Sequence, residues 1–262
     1  MLEDSQQLQG ARTPSWRELA GSAAGLLLSP LAALVAHARR GRVFHPLGRT
    51  FRARVEANPN ASGTWAELAA RLSGPALARF SGALWRGGFE GCDVLGVALR
   101  LRENESATTC VLSSDQDLLF ATIISPFTMP LAPFTTNSHD YLANKYWAVS
   151  PFRVGQARQV KFRLSPACRT EQQPSSGLHR DEALISAVER APVPFRLEVR
   201  HTFQLTWQPL ATAWLTEQLA IDQEALRFMP FQNGRGIVPC GFVHALRRAT
   251  YAASQRARPN HG

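Results

Sequence analysis

The sequence predicts a single α+β domain: an antiparallel β-barrel or strongly curled sheet with helices packed at both ends. Three observations predict it. About six to eight segments alternate apolar and polar residues with the period of a half-buried strand, separated by turn clusters. Both ends of the chain read as helix. No fixed-period repeat divides the 262 residues, a length that suits one large domain. Residues 1–40 read as a tail and an apolar helix, and residues 41–262 as the domain proper.

The elements follow in order. Residues 1–14 read as a frayed tail, and Trp16 to Arg40 as a helix kinked or split at Pro30. "RTFRARVEA" (49–57) alternates as a strand, and "NPNASG" (58–63) is a turn cluster. "TWAELAARL" (64–72) predicts a helix with Thr64 as N-cap and Glu67 at capping-box spacing. "ALARFSGAL" (76–84) and "DVLGVALRLR" (93–102) read as strands around the "RGGFEG" turn. "TTCVLSS" and "DLLFATII" (117–124) predict two more.

The Pro- and Thr-rich stretch 125–137 reads as a loop, and "DYLANKYWAV" (140–149) as a short helix. "RQVKFRLSP" (158–166) is a further strand. After a polar loop, "DEALISAVER" (181–190) starts with acids and ends with a base, as a helix dipole favours. "PFRLEVRHTFQLTW" (194–207) alternates as one long strand with a wet face. "ATAWLTEQLAI" fits either strand or helix, and Gly241 to Arg258 reads as helix.

Hydrophobic residues make up 45% and charged residues 19%, which excludes wholesale disorder. The net charge of +9 points to an anionic partner. Arginine supplies nearly all of it, since Lys145 and Lys161 are the only lysines, and its planar fork suits carboxylates and phosphates. The arginines are scattered and lack the aromatic platform of single-strand binders, so nucleic acid is disfavoured. Cys92, Cys110, Cys168 and Cys240 are widely spaced, which fits a reducing cytoplasm better than a disulfide framework. Residues 19–38 carry no Asp, Glu, Lys or Arg. Glycines, serines and Pro30 dilute them, so a helix packed on the domain is favoured, with peripheral membrane contact as the rival.

Several chemistries lack their signatures. There is no G-x-S-x-G, P-loop, H-E-x-x-H or dinucleotide G-x-G-x-x-G. Asp115 and Asp117 could pair on a metal, but two acids at a strand start read first as a solvated edge. "HALRRATYAASQRARPN" says more. Arg247 and Tyr251 stand one helical turn apart, and Arg258 continues their stripe. A tyrosine packed over an arginine stem is ordinary. The same pair could also hold a phenolate on ferric iron, because the guanidinium lowers the phenol pKa.

Taken together, these segments resemble the catalase superfamily, in particular its short, catalase-related heme proteins. "RVFHPLGRTFRARV" (42–55) is similar to the family's R-V-x-H-x-x-G segment and first barrel strand, and "ARFSG" (78–82) to its R-F-S strand. "DVLGVALRL" (93–101) resembles the D-x-x-G-x-A strand, and "YWAVSPFRVGQARQVKFRLSP" (146–166) the stretch ahead of a later strand. "RRATYAASQRAR" (247–258) resembles the R-x-x-x-Y segment.

The resemblance implies an antiparallel barrel that binds heme b. Tyr251 would be the proximal iron ligand and Arg247 its charge partner. His45 would be the general acid–base group on the other face, moving a proton from one peroxide oxygen to the other. Ser81 would support His45. Arg42, Arg79 and Arg258 would neutralise the heme propionates. The substrate would be hydrogen peroxide or an organic or lipid hydroperoxide. Homo-oligomers are also known in the family, although the segments that hold full catalases as tetramers are missing here.

The pattern departs from catalases at two places. "DLLFATIISP" (117–126) stands where they carry D-L-x-x-N-N-T-P, so that Thr122 falls at the position of the supporting asparagine. Pro46 and Leu47 follow His45 in place of a small and basic pair. Both shift the expectation from fast disproportionation to peroxidase or rearrangement chemistry, with weak catalase activity at most. The alternative is a catalytically degenerate binding module of the same fold on a membrane surface.

Overall fold

A computed structural model describes residues 48–85, 90–148, 150–155, 158–167, 178–223, 225–229 and 231–241. The chain divides into two compact units, Phe44–Val238 and the pair Met1–Val43 with Pro239–Gly262. The second unit lies almost wholly outside the described residues, as does the expected boundary at residue 40.

Among the described residues, ten strands form one antiparallel sheet. They are β1 (Gly48–Ala57), β2 (Gly74–Gly82), β3 (Leu95–Leu101), β4 (Gln116–Ala121) and β5 (Tyr146–Ala148), then β6 (Phe152–Val154), β7 (Arg158–Pro166), β8 (Val193–His201), β9 (Gln208–Leu219) and β10 (Ile237–Pro239). Their order is β10-β6-β7-β5-β4-β3-β2-β1-β9-β8, and a further β7–β8 pairing closes the ring. Eight strands therefore make a barrel, with β6 and β10 as a flange. Closure removes the open edges that a curled sheet would expose. Register shifts at Arg52/Ala53 and at Leu197/Glu198 add the local twist that closure requires.

Period-two alternation fills the interior. Phe51, Ala53 and Val55 of β1, Ala78 and Phe80 of β2, and Val97 and Leu99 of β3 all belong to one buried cluster. An eight-stranded barrel leaves room for side chains and little else. Phe80 is the hub: its ring centroid lies 5.9 Å from Phe51, 5.4 Å from Tyr141 and 5.3 Å from Phe195. Helix α1 (Thr64–Leu72) adds Leu68, Ala69 and Leu72 to the same core, and helix α3 (Arg180–Arg190) adds Leu184 and Val188. The short α2 (Ala132–Thr135) follows a 3-10 turn over Pro126–Leu131.

Several expectations change. The helix expected over 140–149 does not form over the described residues 140–148: a 3-10 turn at Tyr141–Ala143 leads into β5. Tyr141 and Tyr146 both point into the barrel, and the Tyr146 hydroxyl donates to the Tyr141 carbonyl at 2.6 Å. The "TTCVLSS" stretch is a loop, gathered by Arg102, whose guanidinium donates to the carbonyls of Ser106 at 2.6 Å and Cys110 at 2.5 Å. Helix α1 begins at Thr64 with Gly63 as its N-cap, and no side chain closes that cap. The long strand expected over 194–207 stops at His201, where Thr202 and Gln204 turn the chain. Strand β9 settles the ambiguous segment as strand. No helix among the described residues is long and apolar enough to cross a membrane. Residues 19–38 and the C-terminal helix expected at 241–258 lie outside the described residues, apart from Gly241.

Candidate functional site on the outer barrel wall

The residues that pack inward on β1–β4 leave the alternate positions on the outer wall. Directly paired neighbours form rows across these four strands. Gly48 pairs with Ser81, Ser81 with Gly96, and Gly96 with Ala121. This row of small residues spans three inter-strand spacings, about 14 Å. The next row is Thr50, Arg79, Ala98 and Leu119, and the third is Arg52, Leu77, Arg100 and Asp117. Leu77, Ala98 and Leu119 pack with Leu219, Leu226 and Phe228, so the segment after β9 covers the wall at that side. Ala121 packs with Ala83, Val94 and Ala132 at the other.

Two expected site residues stand on this wall. Ser81 is buried at 3% exposure, in the row of small residues, and Arg79 is buried at 4%, in the row beside it. Arg79 Nε donates to Gln223 Oε1 at 3.0 Å, and Gln223 Nε2 donates in turn to Thr50 Oγ1 at 3.0 Å and to the Ile221 carbonyl at 3.1 Å. The guanidinium lies against Gly48: a Cβ there would stand 2.7 Å from Arg79 Cζ and 2.6 Å from the Phe80 carbonyl. A glycine at 48 thus leaves the space that Arg79 occupies.

Thr122 follows the row without belonging to it. Ala121 takes the wall position beside Gly96, while Thr122 closes the strand end on Leu95. Its Oγ1 accepts the Leu95 N–H at 3.1 Å and lies 2.7 Å from Thr136 Oγ1. Thr136 is also 2.7 Å from the Ala132 carbonyl, so this hydroxyl pair ties the base of the 123–135 loop. His45, Arg42, Arg247, Tyr251 and Arg258 lie outside the described residues.

The other two tyrosines are committed elsewhere. Tyr141 and Tyr146 are buried in the barrel core, and burial pushes both phenols well above their ordinary range. Tyr141 donates to Asp181 at 3.1 Å. Neither can present a phenolate to a metal. Among the described residues, no group of three or more His, Cys, Asp or Glu side chains could hold a metal ion.

Sequence reasoning missed a second feature of the wall. Asp115 and Asp117 are not a solvated edge: they are 0% and 2% exposed. Arg100 meets Asp117 through two hydrogen bonds of 2.7 and 2.8 Å, and Arg102 meets Asp115 at 3.4 Å. Asp117 also accepts the Met229 N–H at 2.7 Å, and Arg100 donates to the Arg227 carbonyl. Although burial opposes its charge, the Asp117 bonds and the nearby acids hold the Arg100 guanidinium above its usual range. This ion cluster fastens residues 227–229 across the wall. Gly234 N, donating to the Asp115 carbonyl at 2.9 Å, and Arg235, donating to the carbonyls of Arg71, Ser73 and Arg102, extend the fastening toward β10. The signal in the sequence was the "RLR" spacing of Arg100 and Arg102: once β3 and β4 pair, Arg100 stands opposite Asp117, and Arg102, just past β3, reaches Asp115.

The side chains of the Gly48–Ser81–Gly96–Ala121 row are small, and Arg79 brings a buried guanidinium beside them, the kind of partner that a carboxylate such as a heme propionate would take.

No family model and no curated protein matches the sequence. Solved structures do. A fungal catalase matches with a TM-score of 0.58 at 13% identity, over 90% of this chain and 62% of that one. A bacterial catalase matches with a TM-score of 0.53 at 14% identity, over 98% of this chain and 63% of that one. The chain thus spans less than two thirds of either catalase. The closed antiparallel barrel is the catalase-like fold, shared at an identity that speaks to fold alone.

Proposed function

We propose that the protein is a heme-dependent oxidoreductase acting on hydrogen peroxide or an organic or lipid hydroperoxide, with peroxidase or rearranging chemistry and weak disproportionation at most. The observation that carries this reading is the outer wall of a catalase-like barrel, with its Gly48–Ser81–Gly96–Ala121 row and the buried Arg79 beside it. The core placement of Tyr141 and Tyr146 adds support, since it leaves Tyr251 as the one tyrosine to serve as ligand.

In this reading Arg79, with Arg42 and Arg258, would hold the heme propionates. Tyr251 would bind the iron as a phenolate, and Arg247 would keep that oxygen deprotonated. The heme, when bound, supplies a redox-active ferric centre. His45 would accept a proton from one hydroperoxide oxygen and return it to the other, which leaves as water or alcohol. Ser81 would orient the imidazole. Thr122 would act through the rim, since its oxygen already serves Leu95 and Thr136.

Hemin-loaded protein should therefore consume an organic hydroperoxide with turnover, and His45→Ala should lose roughly a hundredfold or more in rate, the range of a general acid–base group. Equal rates in wild type and His45→Ala would contradict the assignment. A second reading rests on Thr122, whose hydroxyl is tied to Thr136 and Leu95, while Ala121 beside Gly96 presents only a methyl. A barrel of this kind that binds heme and turns over no hydroperoxide would be a binding module.

A further inference from the structure

The hairpin between β8 and β9 carries two side chains with nothing to pack on. Phe203 is 96% exposed and Leu205 is 88% exposed. The turn beneath them is well held. Thr202 donates to the Gln159 carbonyl through both its N–H and its hydroxyl at 3.0 Å, and Gln204 N donates to the His201 carbonyl at 3.0 Å. Arg200 donates to the Gln204 carbonyl at 2.5 Å. Trp207 is stacked by two guanidiniums, with Arg163 Cζ 4.5 Å and Arg200 Cζ 4.8 Å from its ring centre. A braced loop thus presents a phenyl ring and an isobutyl group to the outside.

Cations gather behind this tip. Lys161 pairs directly with Arg200 across β7 and β8, on the outer face. Like charges in such a pair destabilise a sheet unless an anion offsets them. Burial, and then the Arg200 charge, hold the Lys161 ammonium below its ordinary range. Arg153 stands opposite Gln159 on the neighbouring strand pair. Arg163 is neutralised by Glu198 at 2.7 Å, but among the described residues no carboxylate lies within ion-pair distance of Lys161, Arg200 or Arg153.

We propose that this hairpin docks the protein on an anionic phospholipid surface: Phe203 and Leu205 enter the boundary between headgroups and acyl chains, and Lys161, Arg200 and Arg153 meet the headgroups. Apolar tips beside basic residues are the pattern of interfacial anchors. Two side chains are far too little area for a stable second copy, which needs about 800 Å² per partner. A nucleic acid would use the cations and leave the tip in water. The net charge of +9 favours the anionic surface throughout. The hairpin is distinct from residues 19–38 and does not depend on the heme reading.

The test is co-sedimentation of the full chain with large vesicles of phosphatidylcholine alone or mixed equally with phosphatidylserine. Wild type should bind the anionic vesicles and not the neutral ones. The exposed double variant Phe203→Ser, Leu205→Ser should weaken binding about tenfold or more, as loss of two inserted apolar side chains requires. Lys161→Gln with Arg200→Gln should weaken it about fivefold per charge, and the loss should shrink at high salt. No binding by wild type overturns the proposal, as does binding that both double variants retain. Retention on duplex DNA lost with the charges but not with the tip would also overturn it, as would a solution mass that falls when the tip is changed.

Discussion

Asp117→Ala is the sharpest test of how the outer wall is held. The carboxylate is 2% exposed and receives both arms of Arg100 at 2.7 and 2.8 Å, with the Met229 N–H at 2.7 Å. Removing it strands a fully buried guanidinium, which keeps the Arg227 carbonyl as an acceptor but, among the described residues, has Asp115 at 3.8 Å as its one remaining carboxylate. Breaking a buried pair from one side costs about 3–5 kcal/mol. At about 2 °C per kcal/mol for a chain of this length, the melting temperature should fall by roughly 6–10 °C. Circular dichroism in thermal and urea unfolding reads this directly. Removing both partners together, as Arg100→Met with Asp117→Leu, should cost less than Asp117→Ala alone, because no charge is left stranded. A single-variant loss below about 1 kcal/mol, the range of an exposed pair, would refute the reasoning. So would a double variant worse than the single one.

Three further outcomes follow from the same geometry. Phe80→Ala should cost about 3–5 kcal/mol in urea unfolding, since Phe80 is the aromatic hub of the filled barrel. Burial alone would raise the Glu198 pKa, but hydrogen bonds from Arg163 and Ser165 and the charges of Arg163 and Arg196 hold it below its ordinary 4.5. A depressed carboxyl stabilises the fold above that value, and the contribution fades as pH falls through the folded pKa. Arg163→Ala should therefore flatten the acid limb of the stability–pH curve below pH 4.5. Gly48→Val should lower both thermal stability and hemin affinity, because the added atoms stand 2.7 Å from Arg79 Cζ and 2.6 Å from the Phe80 carbonyl. A hemin titration and a melting curve on the same sample check it.

Local alternation made much of the barrel legible. The strand read at 158–166 and the helix read at 64–72 have those bounds in the structure, because one pattern governs each whole segment. Residues 140–149 misled, since a Tyr–Leu–Ala turn followed by two aromatics has a helix-like composition. What sends Tyr141 and Tyr146 inward is Phe80, which arrives from a strand some sixty positions earlier. The burial of Asp115 and Asp117 was hidden for a similar reason: their arginines, on β3 and just past its end, become partners only once the register is known. The departure at Thr122 was visible as a residue type. That Ala121, not Thr122, stands on the wall depends on strand register, which sequence spacing does not carry. Arg79 and Ser81 sit on one strand face because they are two residues apart, so their shared wall was readable from "ARFSG".

The most direct measurement is the absorption spectrum of the protein titrated with hemin, in wild type and in three single variants, Tyr251→Phe, Tyr141→Phe and Tyr146→Phe. Wild type should give a saturable spectrum of tyrosinate-bound ferric heme, Tyr251→Phe should lose it, and the two core variants should retain it. A wild-type protein that stays colourless, or a spectrum untouched by Tyr251→Phe, would contradict the account.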